Sequence, residues 1–144
     1  MLRAFPMILV SVLLYNGLTF GGMASGHDII AMLTANFTLK LFSGDAWKIS
    51  VGDLFLALTL LCLFIETIKA TRTSQREIVN HALSMFTFTG ALVEFITLKG
   101  FGTSTFFFIT AMCLFDVVAG YTISIIAAKR DMNVVSHAGH GYDD

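Results

Sequence analysis

Four long apolar runs limit what this chain can fold into. They cover residues 4–20, 51–70, 78–98 and 105–128. A helix needs about 20 apolar residues, each rising about 1.5 Å, to cross a hydrocarbon core of about 30 Å. The last three runs are long enough, and the first is at the short end. Charged residues make up only 13% of the 144 residues, against about 25% in a typical soluble domain. The sequence therefore predicts an all-α membrane protein, a bundle of four transmembrane helices in one domain.

The first run allows a second interpretation. Arg3, the apolar stretch and the small residues at 21–26 together have the layout of a cleavable signal peptide. Tyr15 and Asn16 lie inside the apolar stretch, and their polar groups argue against that interpretation. We therefore expect a retained first helix.

Local signals mark where the helices begin and end. Ser50–Asp53 and Ser74–Glu77 have the spacing of capping boxes, in which side chains satisfy the unpaired N–H groups of a first turn. Gly100 allows a left-handed helix end, and Thr103 or Ser104 can cap the helix that follows. The predicted helices are 4–20, 51–72, 75–99 and 103–129, all within one domain over residues 1–131. Residues 132–144 are predicted to be a flexible cytoplasmic tail.

Segment 27–49 follows a different pattern, which is not that of a membrane span. A short apolar stretch ends near Ala35, and apolar residues then alternate with polar ones on both sides of Gly44-Asp45. Alternation around such a turn predicts a β-hairpin. Trp47 would suit the level of the lipid headgroups. We expect an interfacial helix and a small extracytoplasmic hairpin as a cap between helices one and two.

Lysine and arginine are distributed unevenly between the two sides of the predicted bundle. The side with both termini carries six of them and the opposite side three, Lys40, Lys48 and Lys99. This bias predicts cytoplasmic N- and C-termini in a bacterial inner membrane. Part of the basic side could also contact anionic lipid headgroups, although topology alone produces the same pattern. Those candidates are Lys69, Arg72, Arg76, Lys129 and Arg130.

Four titratable side chains fall inside the predicted helices: Asp116, Glu94, Glu66 and His81. A charge at the membrane centre costs about 2.5–3.5 kcal/mol, so each needs a partner, a proton or a function. Counting residues from the loops places Asp116 near the midplane. The same count places Glu66 and His81 near the cytoplasmic face and Glu94 near the outer face, level with Asn16. These four are the candidates for a proton or ion pathway.

Each of the four also has a purely structural interpretation, as a side chain paired within the protein. Asp116 lies out of reach of both membrane surfaces, so its structural role would be a protonated or hydrogen-bonded acid between helices. The sequence leaves both interpretations open. The partners that the spacing allows are Lys69 for Glu66, Glu77 or Glu66 for His81, and water or Lys99 for Glu94.

Small and polar residues recur at steps of three and four along the same helices. In lipid such stripes normally face other helices, because they allow close approach and hydrogen bonds. Both cysteines fall inside apolar runs, so no disulfide is expected. The predicted helix-packing stripe contains Cys113, Gly120, Ser124, Thr87 and Cys62.

No cofactor or metal site is predicted. A haem held by two histidines would need two of them in the membrane, and the chain supplies only His81. His137 and His140 belong to the predicted tail, where they could hold a metal only loosely. A net charge of −1 gives no basis for nucleic-acid binding. The chain also contains no nucleophile motif, which disfavours an enzyme.

Three stretches of the chain read Glu66-Thr-Ile-Lys-Ala-Thr-Arg-Thr, His81-Ala-Leu-Ser-Met and Asp116-Val-Val-Ala-Gly-Tyr. They resemble parts of small uncharacterised four-helix inner-membrane proteins of proteobacteria, and the resemblance covers most of residues 37–131. It implies the same topology. No activity is attached to that group, so the resemblance carries over no catalytic residue.

The expected function is that of a structural or accessory membrane subunit. It would act through helix–helix contacts with itself or with other membrane subunits, surrounded by membrane lipids. The alternative is a proton-linked small transporter or ion pathway that uses Asp116, with Glu94 towards the outside and Glu66 and His81 towards the inside.

Overall fold

The computed structural model describes residues 5–70 and 75–138 of the chain. This part is mostly helical and contains one small antiparallel sheet. Its elements are α1 (Ile8–Ala24), α2 (Ile29–Thr34), β1 (Asn36–Lys40), β2 (Ala46–Ser50), α3 (Val51–Ala70), α4 (Gln75–Thr97) and α5 (Ser104–Ala138).

Helix α1 begins and ends about four residues later than the predicted range 4–20. Gly21 and Gly22, where the sequence suggested an end, are still helical. The helix ends before Gly26, whose φ is +74°, and the N–H of His27 donates to Gly22 O at 2.9 Å. This is a Schellman end, which needs a left-handed residue. The apolar pattern alone did not show which of the three glycines takes that conformation.

The segment between α1 and α3 folds as predicted, into a short helix and a hairpin. Asp28 caps α2 by accepting hydrogen bonds from two backbone N–H groups of its first turn. Strands β1 and β2 pair antiparallel with Phe37 opposite Ile49. The chain reverses at Gly44, whose φ of +92° favours glycine.

Two of the predicted caps are present. Asp53 Oδ2 accepts from Ser50 N at 2.9 Å, and Ser50 Oγ accepts from Asp53 N at 3.1 Å, which completes the capping box of α3. Gly100, with φ +90°, turns the chain after α4, and Thr103 caps α5 by accepting from Phe106 N at 3.2 Å. The other predicted box begins at Ser74, outside the described residues.

Helix α5 is longer than predicted. It was expected to end near residue 129 but runs for 35 residues, to Ala138, or about 52 Å at 1.5 Å per residue. The first part of the predicted flexible tail, 132–144, is therefore helical. The rest of that tail lies outside the described part of the chain.

The four long helices pack side by side. Helix α5 packs against both α3 and α4, and α1 lies against α3 while also contacting α4 and α5. An aromatic cluster fills the end of this assembly nearest the hairpin. The Tyr15 ring lies 4.6 Å from that of Phe106 and 5.5 Å from that of Phe55, and Phe101 lies 5.0 Å from Phe106. These rings fix α1 against α3 and α5.

The distribution of apolar and polar side chains is the reverse of that in a soluble helical protein. Large apolar side chains face outwards, among them Phe86, Ile96 and Phe115 with exposed fractions of 77%, 70% and 64%. In water such a surface would favour aggregation, whereas in lipid apolar side chains outside and hydrogen-bonding groups inside are expected. The buried polar residues are Ser11, Thr19, Thr59, Glu66, Asn80, His81, Ser84, Thr87, Thr110 and Asp116.

Seven threonine hydroxyls along the long helices bond within their own helix. Each donates to the carbonyl oxygen four residues earlier, at 2.7–2.9 Å. This arrangement is common for threonine inside helices and removes its need for an outside partner. The residues concerned are Thr59, Thr67, Thr87, Thr89, Thr97, Thr110 and Thr122.

Three helical segments are long and apolar enough to cross a membrane: Val51–Ala70, Val79–Thr97 and Ser104–Ile126. Helix α1 is apolar but has only 17 residues. Length and composition therefore support three of the four predicted transmembrane helices, and the fourth stays a prediction.

Candidate functional site

Glu66 is buried near the end of α3 and joins three parts of the chain. Its Oε2 accepts from the backbone N of Met7 at 2.9 Å and from Lys69 Nζ at 3.1 Å. Its Oε1 accepts from the side-chain amide of Asn80 on α4. The ion pair with Lys69, which was the structural interpretation of Glu66, is present. We call Glu66, Lys69, Asn80 and the Met7 amide the Glu66 cluster.

Lys69 is directed into the protein. Besides Glu66, its ammonium donates to the carbonyl oxygen of Phe5 at 2.8 Å. It therefore holds the segment that precedes α1 against the end of α3. Sequence analysis had named Lys69 both as a partner of Glu66 and as a candidate contact for lipid headgroups; the first contact is present, and the second stays a prediction.

Asn80 is a member of this site that sequence analysis missed. It is buried beside His81 on α4, and neighbouring residues on a helix point about 100° apart. Asn80 therefore faces Glu66 on α3, while His81 faces α5. The sequence could have indicated Asn80, because an asparagine within an apolar helix needs a hydrogen-bond partner on another helix.

His81 bonds to α5. Its Nε2 lies 2.8 Å from Ser124 Oγ, and its ring stacks on Tyr121 with centroids 5.6 Å apart. The ring also fills the space beside Gly120, where a Cβ would lie 2.5 Å from His81 Cε1. The expected pairing of His81 with Glu66 is wrong, because Asn80 occupies that position. The side chain of Glu77, the other expected partner, lies outside the described residues.

Asp116 is buried on α5 opposite α4. The hydroxyl of Ser84 faces its carboxyl group, and among the described side chains Glu66 and Lys69 of α3 interact with it electrostatically. Asp116 Oδ2, Ser84 Oγ and Asn80 Oδ1 are all buried, and none has a hydrogen-bond partner within the described chain. We call these three residues the Asp116 site. It adjoins the Glu66 cluster through Asn80.

A separate polar contact lies nearer the hairpin end. Both carboxylate oxygens of Glu94 accept from Asn16 Nδ2, at 3.0 and 3.1 Å. This bond confirms that Glu94 and Asn16 are level, as counting from the loops predicted. The partner of Glu94 is thus Asn16 of α1 and not Lys99. Tyr15 makes a second link from α1, with its hydroxyl 2.6 Å from Thr103 Oγ1.

The residues of the predicted packing stripe lie inside the helical assembly. Cys113, Cys62, Thr87 and Gly120 are buried, and Ser124 is half-buried with its hydroxyl on His81. Both cysteines are free thiols. The stripe therefore packs against other helices of the same chain.

Most of the remaining predicted residues fall outside the described part of the chain. Lys129 is exposed on α5. Arg72 and His140 fall outside the described residues, as do the side chains of Arg76, Arg130 and His137. Within the described ranges, no three His, Cys, Asp or Glu side chains lie together so that they could hold a metal ion.

Two clefts open at the surface of the described helices. One, of about 660 Å³, lies between the α1–α2 turn and the α4–α5 turn and includes Asp28, Lys99 and Gly100. The other, of about 510 Å³, is an apolar groove between α1 and α3, lined among others by Leu13, Gly17 and Leu54. Neither contains any of the buried titratable groups.

Known proteins do not indicate which of these features is functional. Comparison of the chain with protein-family models, with curated proteins and with solved structures gives no match. The function has to be argued from the contacts and surfaces of the chain itself.

Proposed function

We propose that the chain is an integral membrane protein with four transmembrane helices, and that it serves as a structural or accessory subunit. It acts through helix–helix contacts in a homo-oligomer or a larger complex of a bacterial inner membrane. Both termini are cytoplasmic and the hairpin is extracytoplasmic, because lysine and arginine concentrate on the side of the termini. The observation that carries the subunit proposal is an open pair of glycines on α1.

Gly17 and Gly21 lie four residues apart on the exposed side of α1. A Cβ at either position would meet no atom within 4 Å, so the helix surface is free there. In lipid, two small residues at this spacing let the backbone of another helix approach closely. Gly22 differs, since a Cβ there would lie 2.7 Å from Met32 Sδ. The glycine pair thus supports a contact with a helix from outside this chain.

The apolar groove between α1 and α3 adjoins this pair at Gly17. Leu13, Leu14 and Leu54 line the groove and are exposed. A helix seated on Gly17 could place its own side chains in the groove and gain van der Waals contact. Such contact is a main source of helix association where the solvent is as apolar as the side chains.

The hydrogen bonds inside the protein also support a structural role. Glu66, Glu94 and His81 each bond to a polar side chain on another helix. Side chains used in this way stabilise the packing of helices in lipid. Three of the four candidate pathway residues are therefore engaged in structure.

The test is to replace Gly17 and Gly21 by leucine, one at a time, in the full chain. We expect each variant to dissociate at least tenfold more readily than the wild type, because the leucine side chain keeps the partner helix away. Subunit counting in lipid vesicles at a series of protein-to-lipid ratios measures this. Gly90→Leu is the matched control, since Gly90 is also an exposed helical glycine with no atom within 4 Å of a Cβ.

A larger complex requires a second readout, which is the set of membrane proteins that co-purifies in mild detergent. The proposal predicts that this set is lost in the Gly17 and Gly21 variants and kept with Gly90→Leu. A wild type that is monomeric at every protein-to-lipid ratio and that co-purifies with nothing would overturn the proposal.

A second function, a proton-linked small transporter or ion pathway, is favoured by one observation. Asp116 Oδ2 is buried without a hydrogen-bond partner in the described chain, and acids in such positions commonly mark pathways. Flux measured in proteoliposomes should then fall strongly in Asp116→Asn. Equal flux in the variant and the wild type would eliminate this function.

A further inference from the structure

We infer that the hairpin of β1 and β2 rests on the surface of the lipid bilayer, with one face inserted between the headgroups and its lysines on anionic lipid phosphates. The inference rests on the proposed function in one respect, since it needs the long helices to cross a membrane. It goes further, because it assigns lipid binding to the segment between α1 and α3. We call the inserted side the hairpin face, and it consists of Phe37, Leu39, Leu41, Trp47 and Ile49.

The strand register divides the hairpin into two unlike faces. Residues directly opposite each other in an antiparallel pair lie on the same face, and so does every second residue along each strand. Phe37 lies opposite Ile49, and Leu39 lies opposite Trp47. Leu41 belongs to the same alternation, because the pairing continues into the turn. The opposite face carries Asn36, Thr38, Lys40, Ala46, Lys48 and Ser50.

The hairpin face is uncovered in the part of the chain that the structure describes. Its members are between 46% and 53% exposed, apart from Ile49, which is buried at the foot of the hairpin. Phe42 at the tip is fully exposed. A two-stranded hairpin whose apolar face lacks a cover is at best marginally stable in water. A contiguous apolar surface of this kind therefore calls for a membrane or a partner.

The position of the hairpin favours a membrane as the cover. Strand β2 ends at Ser50, and α3 begins at the next residue, Val51. The segment that is long and apolar enough to cross a membrane also begins at Val51. A strand of five residues spans only about 17 Å, so both strands lie close to the level at which α3 would enter the hydrocarbon. A hairpin attached there meets lipid headgroups as soon as it tilts towards the bilayer.

The composition of the hairpin matches lipid as well. Trp47 is the only tryptophan of the chain, and tryptophan is enriched where membrane and water meet. Lys40 and Lys48 have long apolar stems, which let their ammonium groups reach phosphates while the other face is inserted. The one acid of the hairpin, Asp45, accepts a hydrogen bond from Ser43 Oγ at 3.0 Å. Two lysines against one acid leave the hairpin positively charged, which complements anionic lipids.

The single tryptophan makes a direct test possible in the unmodified full chain. The protein is reconstituted into vesicles of phosphatidylcholine and phosphatidylglycerol whose acyl chains carry bromine at a chosen depth, because bromine quenches nearby indole fluorescence. We expect Trp47 to be quenched about twofold more by bromine near the headgroups than by bromine near the chain ends. Aqueous iodide should quench it only weakly.

A matched control places the only tryptophan on a helix. The double variant Trp47→Phe, Leu61→Trp carries it on α3, at a position 56% exposed in the wild type. Ten residues past Val51 correspond to about 15 Å, so this indole should be quenched most by the deepest bromine. The control separates the two proposals. Lipid quenching at position 61 but not at Trp47 overturns the hairpin inference alone, whereas quenching at neither position also removes the membrane helices.

The lysines are tested by the double variant Lys40→Gln, Lys48→Gln. It should show about twofold less shallow quenching of Trp47 in vesicles that contain phosphatidylglycerol, and little change in pure phosphatidylcholine. Lys99→Gln is the control, since Lys99 lies outside the hairpin at the α4–α5 turn. Unchanged quenching in the double variant would overturn the phosphate contact. Shielding of Trp47 from both iodide and brominated lipid would show that another protein or a second copy covers the hairpin face, and would overturn the inference.

Discussion

At the scale of single residues, Glu66 connects three segments of the chain through hydrogen bonds. Its carboxylate binds the amide that leads into α1, the ammonium of Lys69 on its own helix and the amide of Asn80 on α4. A buried ion pair contributes little net stability when intact, yet removing one partner leaves an uncompensated charge. Substitutions of Glu66 and Lys69 should therefore be strongly non-additive.

Replacing Glu66 by alanine should lower the free energy of unfolding by about 3–5 kcal/mol, because Lys69 would lose its buried counter-charge. The loss is measured by denaturant unfolding in detergent, followed by circular dichroism. The double variant Glu66→Leu, Lys69→Met should be more stable than Glu66→Ala, since it leaves no unpaired charge. A Glu66→Ala variant with wild-type stability would contradict this role of Glu66.

The contact between His81 and Gly120 allows a second prediction. Gly120→Ala places a methyl group 2.5 Å from the imidazole, so the ring must move and its bond with Ser124 is lost. Overpacking of this kind should cost about 1–3 kcal/mol in the same unfolding assay. Gly90→Ala, which meets no atom within 4 Å, should be neutral or stabilising. Equal effects of the two substitutions would show that the ring does not depend on Gly120.

Sequence reasoning was reliable for residues whose partners are close in the chain. The bonds of Ser50 with Asp53 and of Glu66 with Lys69 span three residues, so their spacing alone indicates the contact. It was unreliable for partners on other helices, because the rotation of each helix about its own axis determines which side chains face each other. His81 was expected beside Glu66, but Asn80 lies there. The two residues are neighbours in the chain, and their side chains point about 100° apart on the helix.

At the scale of elements, the start of α5 also holds α1. Thr103 Oγ1 accepts from Phe106 N at 3.2 Å and lies 2.6 Å from the hydroxyl of Tyr15. One hydroxyl thus caps a helix and links it to a neighbour. The cap was predictable from the glycines and the hydroxyl residue before the apolar run. The link to Tyr15 was not, because it depends on how α1 packs.

Separate substitutions distinguish these two roles. Tyr15→Phe removes the link and leaves the cap in place, and it should cost about 0.5–1.5 kcal/mol. Thr103→Val removes the link and the cap and should cost about 1 kcal/mol more. Thr103→Ser keeps both bonds and is the control. Thermal unfolding in detergent ranks the three variants, and a Thr103→Val no less stable than Tyr15→Phe would show that the cap contributes nothing.

Helix boundaries show which local signals dominate. The capping box fixed the start of α3 correctly, since its hydrogen bonds form within one turn. The end of α5 was misplaced because Lys129 and Arg130 ended the apolar run. Charge limits how far a helix stays in lipid, but it does not end a helix, and α5 continues to Ala138.

At the scale of the whole molecule, the hairpin and the basic end of α5 lie at opposite ends of the long helices. Helix α5 starts beside Tyr15 and the hairpin end and carries Lys129 at its other end. If the helices cross a membrane, these two regions face different compartments. The positive-inside rule then assigns Lys129 to the cytoplasm.

Cysteine labelling in intact cells tests this assignment. A membrane-impermeant maleimide should label Ser43→Cys in the hairpin turn from outside, and Lys129→Cys only after permeabilisation. The background should be low, because Cys62 and Cys113 are buried. The reverse labelling pattern would invert the topology, and equal labelling of both positions in intact cells would exclude a membrane between them.

The threonine bonds within the helices have a consequence for biogenesis. Each of those hydroxyls is satisfied as soon as its own helix forms, so it adds little to the cost of moving that helix from the translocon into lipid. The side chains of Asn80 and Glu94 obtain their bonds only from other segments, and Glu66 obtains two of its three partners from them. If the long helices are membrane spans, newly made helices can thus enter the bilayer one by one, but they carry polar groups that favour prompt docking. Synthesis and assembly would then be coupled through the order in which hydrogen-bond partners emerge from the ribosome.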